Sequence, residues 1–229
     1  MAPARLGRNV FNRPTLTVAR DLLGKFIVHR HGRRIRSAMI TEVEAYKGPQ
    51  DLASHARGGR RTRRVEPLYG EGGTTYVYLV YGLHWLLNFA TAGAGRPEAV
   101  LVRGVLAGTA DAPEPVAGPG RVARHLGIDQ RLDGLDATTS ERIWVEDRDF
   151  NIVRFNGITR STSSKTSKPV WFSVDSWRAN VSTTAARSLA TCTAAPGVRV
   201  RAISPAKAGV ASRRSRCRVF GHGSGKWMW

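Results

Sequence analysis

The pentapeptide Glu42-Val43-Glu44-Ala45-Tyr46 concentrates two carboxylates and a phenol within five residues. Side chains alternate between the two faces of a β-strand, so a strand here would place Glu42, Glu44 and Tyr46 on one face. A positioned carboxylate that is partly removed from water can act as a general base. The alternative interpretation is that these side chains form the solvated outer face of an edge strand.

A second group begins at His55 and continues as a basic segment in which five arginines fall within eight residues, interrupted by a Gly pair. Guanidinium groups bind phosphate in a bidentate manner, and the segment therefore predicts contacts with the phosphates of a nucleic acid. A solvated basic loop and a binding site for an acidic protein are the alternatives, and a histidine such as His55 is by itself more often structural than catalytic. The five arginines are Arg57, Arg60, Arg61, Arg63 and Arg64.

Three tyrosines form the third group. Tyr76 and Tyr78 would share one face of a strand, whereas Tyr81 would lie on the other face, beside the flexible Gly82. Aromatic side chains can sandwich a nucleic-acid base or wedge into a stack of bases. The alternative is that these rings pack in the protein core.

Two lone polar residues, Asn88 and Arg103, occur in otherwise apolar stretches. Each of them needs a hydrogen-bond partner if it is buried. Neither residue indicates a function by itself.

The segments that must position these residues predict an α+β fold with hairpin-connected strands. Thr15 or Thr17 would cap the first helix, and Gly24 and Gly127 would end the two helices. A long polar loop is predicted over residues 48–71. The predicted helices span residues 16–23 and 121–126, and the predicted strands span residues 25–30, 35–46, 74–81, 83–90, 99–106, 143–146 and 169–174.

The charge balance points to a polyanionic partner. The chain holds 36 Lys and Arg against 17 Asp and Glu, a formal net charge of +19. Such a surface attracts nucleic acid first and an anionic membrane second. Residues 176–229 contain no acidic residue and read as a flexible basic tail, so we predict a folded domain over residues 1–175 and a tail over residues 176–229.

Several classes of protein are disfavoured. No segment approaches the ~20 apolar residues of a membrane-spanning helix, and the N-terminus has no apolar core of a secretory signal. The two cysteines, Cys192 and Cys217, cannot form a disulfide framework or a four-cysteine zinc site. We therefore expect an intracellular protein of the cytoplasm or nucleoid, with no contact to a membrane.

Taken together, the motifs resemble those of the alkyladenine (3-methyladenine) DNA glycosylase family. They are Glu-x-Glu-Ala-Tyr, His-x-Arg-Gly-Gly-Arg, Tyr-Val-Tyr-x-x-Tyr-Gly, an Asn and Val-Leu-x-Arg, in this order, over residues 13–126 and more thinly to residue 174. The resemblance implies a single α+β domain around a curved, mostly antiparallel sheet, with a hairpin that enters the minor groove of DNA. It also implies excision of alkylated purines in base-excision repair: 3-methyladenine, 7-methylguanine and, as a further candidate, hypoxanthine.

The resemblance also implies roles for individual residues. Glu44 matches the general base that activates the attacking water, and Arg103 matches the arginine that helps to hold the water and Glu44. Tyr46 and His55 match residues that line the pocket for the flipped base. Tyr78 matches the aromatic residue on the opposite face of that base.

Two further residues match positions that contact the DNA. Tyr81 matches the side chain that fills the place of the flipped base in the stack. Asn88 matches a residue at the minor-groove edge of the purine, where it disfavours the exocyclic amine of guanine. Phosphate contacts are predicted for Arg57, Arg60 and Arg61.

This residue set contains no lysine that could form a Schiff base and no metal cluster. We therefore expect a monofunctional glycosylase without lyase activity, a metal or a cofactor. The expected partner is double-stranded DNA that carries alkylated purines, bound by a monomer.

The C-terminal part departs from the family. Residues 159–166 are rich in Ser and Thr where the family has a glycine-rich stretch, residues 167–172 remain recognisable, and nothing matches after residue 174. A non-catalytic DNA-binding relative with an incomplete active-site wall is therefore the alternative. A general RNA-binding basic protein is a third interpretation, which rests only on the charge and the tyrosines.

Overall fold

The computed structural model of the protein describes residues 3–108, 112–148, 150–158, 170–179 and 192–193. Within them, an antiparallel sheet curls into a half-barrel with few helices, which makes the fold α+β. The helices are α1 (Arg8–Phe11), α2 (Thr15–Leu22) and α3 (Pro119–Leu126). The strands are β1 (Ala4–Arg5), β2 (Phe26–His31), β3 (Arg34–Tyr46), β4 (Thr75–Val80), β5 (His84–Thr91), β6 (Glu98–Gly108), β7 (Pro113–Ala117), β8 (Ile143–Asp147), β9 (Phe150–Ile158), β10 (Val170–Ala179) and β11 (Cys192–Thr193).

The sheet places β3 at its centre. The main path of paired strands runs β1-β8-β2-β3-β6-β5-β4, while β7 pairs with β6 and β10 pairs with β3, β9 and β11. The first half of β3 pairs with β2, its second half pairs with β10, and β6 runs along the other side. The segment from Glu42 to Ala45 therefore has a strand on each side, and the edge-strand interpretation of this segment is wrong.

One hydrophobic core lies between the sheet and the helices. Alternation along the strands and the 3.6-residue period of the helices both direct apolar side chains to it. Its fully buried members include Phe11, Leu22, Ile40, Phe89 and Leu126, which come from α1, α2, β3, β5 and α3. The helices thus cover one side of the strands that carry the polar residues of the candidate site.

The two predicted helices are present, with a correction at the start of the first. Thr15 and Thr17 do not cap α2, because both lie inside it and the cap position is Pro14. The Thr15 hydroxyl instead bonds to Thr91 on β5 and to the carboxylate of Glu98. The end of α3 is as predicted, since Gly127 adopts a left-handed conformation with φ of +71°.

The predicted strands are also present, with shifted ends, and the sequence did not predict α1, β1, β7, β9 or β11. The predicted loop over residues 48–71 contains three short 3-10 turns, at Gly48–Gln50, Arg57–Gly59 and Glu66–Tyr69. The proposed domain boundary at residue 175 falls inside β10, which continues to Ala179. Except for residues 176–179 and 192–193, the predicted tail lies outside the described residues.

Candidate active site

A row of directly opposed residues crosses four strands and defines the candidate site. Tyr76 on β4 is opposite Asn88 on β5, Asn88 is opposite Leu101 on β6, and Leu101 is opposite Glu44 on β3. Directly opposed residues of antiparallel strands point to the same face of the sheet. The row therefore brings Glu44 to the face that carries Tyr76 and Asn88, although these residues are far apart in the sequence.

An irregularity between β3 and β6 accompanies the arginine. The pairing steps over Thr41 on β3 and over Arg103 on β6, and an irregularity of this kind can re-aim a side chain. Arg103 contacts two carboxylates: its Nη1 lies 2.7 Å from Oε2 of Glu42, and its Nε lies 3.1 Å from Oε1 of Glu44. The lone arginine of an apolar strand thus has two acidic partners on the neighbouring strand.

Glu44 also accepts a hydrogen bond from the hydroxyl of Tyr46, at 2.8 Å from Oε2. Its side chain is 16% exposed, and that of Glu42 is 12% exposed. Burial and the nearby Glu44 raise the pKa of Tyr46 well above its ordinary value, so this hydroxyl remains a donor. Glu42, Glu44 and Tyr46 share one face, as strand alternation predicts, and that face is not a solvated outer surface.

A pocket opens beside Tyr46 on this face. It holds about 350 Å³ of empty space, including its mouth to solvent. Three of its lining residues are tyrosines and none is a lysine. The lining residues are Tyr46, Ala53, Ser54, His55, Leu68, Tyr76, Tyr78, Asn88, Pro97 and Ala99.

His55 and two tyrosines form an aromatic wall. His55 Nδ1 lies 2.9 Å from the hydroxyl oxygen of Tyr76, and the ring centroids of His55 and Tyr78 are 4.6 Å apart in an edge-on arrangement. Partial burial lowers the pKa of His55, and the charge of Arg64 lowers it further. Burial, followed by the charge of Glu44, raises the pKa of Tyr78 to about 12. Neutral rings therefore line this side of the pocket.

Tyr76 was grouped with Tyr78 as a candidate aromatic residue, but no role in the pocket was predicted for it. It packs against Leu68 and Ala99 in a small second core cluster, so the core-packing interpretation is right for part of its surface. The backbone carbonyl of Tyr76 also accepts a hydrogen bond of 3.0 Å from Nδ2 of the buried Asn88. Its face-sharing with Tyr78 was the signal that could have assigned Tyr76 to the site.

Tyr81 lies apart from the pocket, in the turn that joins β4 and β5. It has a positive φ of 51°, uncommon for a residue other than glycine, and it is 81% exposed. Leu83 in the same turn is also exposed. The structure therefore presents an aromatic side chain to solvent at this turn, while its insertion into DNA stays a prediction.

The predicted phosphate-binding arginines Arg57, Arg60 and Arg61 are exposed. Arg61 pairs with Glu66, with 2.5 Å between Nη2 and Oε1, and its guanidinium carbon lies 4.6 Å from the ring centroid of Tyr69. The positive charge of Arg61 is thus partly balanced within the loop.

Arg64 belongs to the same basic segment but was not predicted as a site residue. It donates a hydrogen bond to the carbonyl of Leu79 and lies 6.0 Å from the ring centroid of Tyr78. The sequence does not distinguish Arg64 from the other four arginines of the segment, so its proximity to the pocket wall was not predictable.

Metal-binding clusters and membrane-spanning helices are both absent from the described part of the chain. These residues contain no group of three His, Cys, Asp or Glu side chains suited to hold a metal ion. No helix among them is both long enough and apolar enough to cross a membrane.

The profile of the methylpurine-DNA glycosylase family matches residues 9–175. The chain belongs to this family. It is therefore a DNA glycosylase, an enzyme of DNA repair, which confirms the family predicted from the motifs. The matched segment contains the paired row, Arg103 and the pocket.

Bacterial relatives agree with this family membership. Three of them are each named as a candidate 3-methyladenine DNA glycosylase. The one from Desulfitobacterium hafniense is 42% identical over 159 residues, which cover 60% of this chain and 77% of the relative. The one from Anaeromyxobacter sp. is 44% identical over 150 residues, with coverages of 62% and 73%. The one from Clostridium perfringens is 39% identical over 173 residues, with coverages of 65% and 84%.

Proposed function

We propose that this protein flips alkylated purines out of duplex DNA and hydrolyses the N-glycosidic bond with a water molecule activated by Glu44. The lesions proposed are 3-methyladenine and 7-methylguanine, with hypoxanthine as a further candidate. The observation that carries the proposal is that Glu44, bound by Tyr46 and Arg103, shares a sheet face with an aromatic pocket.

The base-flipping step assigns roles to the aromatic residues. A base inside a duplex is inaccessible, so it must rotate out of the stack at a cost of a few kcal/mol. Tyr81 would offset part of this cost by stacking where the base was. The faces of Tyr46 and Tyr78 would favour a purine that carries a positive charge after alkylation.

The hydrolytic step then requires one base. The water oxygen bonds to C1′ of the sugar as the bond from C1′ to the purine nitrogen breaks, and the electron pair of that bond leaves with the purine. A purine alkylated at N3 or N7 is cationic, so it departs as a neutral base. The carboxylate of Glu44 accepts the proton of the water and stabilises the positive charge that develops on the sugar.

The test is the release of free base from a duplex that carries 7-methylguanine or 3-methyladenine, measured by chromatography under single-turnover conditions. We expect release by the wild-type protein and a loss of at least about 100-fold in Glu44→Gln, because general-base catalysis contributes about 10²–10⁴-fold. Binding of the lesion duplex should persist in this variant. Glu71→Gln, which changes an exposed carboxylate outside the pocket, is the control and should release base at the wild-type rate.

Two results would contradict the proposal. Release by Glu44→Gln at the wild-type rate would exclude Glu44 as the general base. Binding of lesion duplex by the wild-type protein without any release would instead indicate a non-catalytic DNA-binding relative.

A further inference from the structure

Arg103 binds two carboxylates, and the proposed reaction uses only Glu44. Glu42 is the more buried of the two and makes the shorter contact, 2.7 Å from its Oε2 to Nη1 of Arg103. Burial raises the pKa of Glu42, and the charge of Arg103 opposes that rise. A second, largely buried acid next to the candidate general base is costly unless it is compensated, so its presence needs an explanation.

The backbone around Glu42 is built to accommodate its side chain. Gly104, the residue after Arg103, is directly opposite Glu42. A Cβ atom at Gly104 would lie 2.8 Å from Cγ and 2.9 Å from Cδ of Glu42, closer than such atoms approach in proteins. The missing side chain at Gly104 therefore leaves the space in which Glu42 reaches Arg103.

We propose that Glu42 is a positioning residue, which fixes the guanidinium of Arg103 so that Nε faces Glu44 and which shares the positive charge of Arg103. This proposal rests on the proposed role of Glu44 as general base. One cation between two carboxylates leaves Glu44 only partly neutralised, and a partly neutralised carboxylate is the stronger base.

Among the described residues, two charged groups act on Glu42. Arg103 faces it from β6, and Glu44 lies on its own strand and adds to the rise in the pKa of Glu42. On β10 the residue opposite Glu42 is the buried Ser173, which carries no charge. Replacing Glu42 with glutamine should therefore act mainly by increasing the electrostatic stabilisation that Arg103 gives to the carboxylate of Glu44.

The test is the pH dependence of single-turnover base release in Glu42→Gln. Without the second negative charge, Glu44 should receive a larger share of the positive charge of Arg103, so Glu44 should lose its proton at lower pH and accept one less readily. We expect the acid limb of the profile to move down by about one pH unit, because that is the usual effect of a neighbouring charge. The plateau rate should fall by up to about tenfold, because the efficiency of a general base follows its pKa. The conservative variant Glu42→Asp should keep the acid limb near its wild-type position.

Glu146→Gln is a matched control. The Glu146 side chain is 11% exposed and accepts a hydrogen bond of 2.6 Å from Arg148, so it resembles Glu42, but it lies on β8 and not among the residues that line the pocket. This variant should lose stability without moving the acid limb. An unmoved acid limb in Glu42→Gln, or an equal shift in both variants, would overturn the proposal.

A readout that needs no reaction separates this proposal from the proposed function. Carbon-13 NMR of the carboxyl groups follows the titration of Glu44 directly, and its midpoint should fall in Glu42→Gln even if the wild-type protein releases no base. If Glu42→Gln does not fold, Gly104→Ala serves instead, since it displaces the Glu42 side chain while every charge remains. The Glu44 midpoint should then move in the same direction, and a midpoint equal to the wild-type value would overturn the proposal.

Discussion

The hydroxyl of Tyr46 lies 2.8 Å from Oε2 of Glu44, a residue only two positions earlier on the same strand. The other carboxylate oxygen, Oε1, lies 3.1 Å from Nε of Arg103 on the neighbouring strand. Within the residues that the structure describes, each oxygen of Glu44 therefore contacts one donor, and the two donors come from different strands. Such an arrangement fixes the plane of the carboxylate as well as its position.

Tyr46→Phe should slow base release while the protein remains folded, because the ring stays and only the donor is lost. A hydrogen bond to a charged group contributes about 1.5–3 kcal/mol, which corresponds to roughly a 10- to 100-fold change in rate. Single-turnover release and thermal unfolding, measured on the same preparation, test this. A wild-type rate in the variant would show that this hydrogen bond does not contribute to the reaction.

Tyr81→Gly should weaken binding and processing of lesion duplexes without destabilising the fold. The side chain is almost fully exposed, and glycine tolerates the positive φ at this turn, so the free energy of unfolding should stay the same or rise slightly. Ile35→Ser is the control, since Ile35 is an exposed apolar residue, at 58% exposure, on β3 and not in the turn that carries Tyr81. Equal effects of both variants on lesion binding would contradict a special role for Tyr81.

Glu66→Gln should release Arg61 from its ion pair and make it available to a phosphate. Each phosphate that a protein neutralises adds about 0.9 to the slope of log affinity against log salt concentration for duplex DNA. We expect a slope steeper by up to about 0.9, measured by fluorescence anisotropy on an undamaged duplex. Asp129→Asn frees Arg131 from a similar exposed pair outside the basic segment, and its slope should not change. Equal slopes in wild type and Glu66→Gln would remove Arg61 from the proposed contacts.

His29 should make stability depend on pH. It is buried, and its Nδ1 lies 2.8 Å from the carbonyl oxygen of Leu126. Burial lowers the pKa of His29, the bond to Leu126 opposes this, and the charges of His31 and Arg142 add to the lowering. Between this lowered pKa and the ordinary value of 6.5, the unfolded chain binds more protons than the folded chain. The free energy of unfolding should therefore fall as the pH decreases through this window.

Urea unfolding at several pH values between about 5 and 7.5 measures this dependence. The dependence should be weaker in His29→Gln, which has no proton to gain at this position. The same pH dependence in the variant and the wild type would exclude His29 as its source.

Local rules predicted much of the candidate site. Strand alternation placed Glu42, Glu44 and Tyr46 on one face, and the same rule placed Tyr76 beside Tyr78. These inferences depend only on neighbouring residues, so they need no knowledge of the strand order.

Features that depend on distant pairing were not predicted. The row that joins Tyr76, Asn88, Leu101 and Glu44 exists because four strands pair in one particular register. The number of residues between two predicted strands does not specify that register. The sharing of Arg103 by two acids occurs at an irregularity in that register, which the sequence does not reveal. The pairing of β10 with β3, which removes Glu44 from the sheet edge, joins segments more than a hundred residues apart.

The central place of β3 has a consequence for motion in the molecule. Around Glu44, this strand is held by a ladder on each side, so a fluctuation that displaces the carboxylate must break two ladders together. Part of the pocket wall, including Ser54, His55 and Leu68, comes instead from the segment of single turns between β3 and β4. The carboxylate of Glu44 and this part of the pocket wall are thus held by different kinds of backbone: a strand paired on both sides and a chain of short turns.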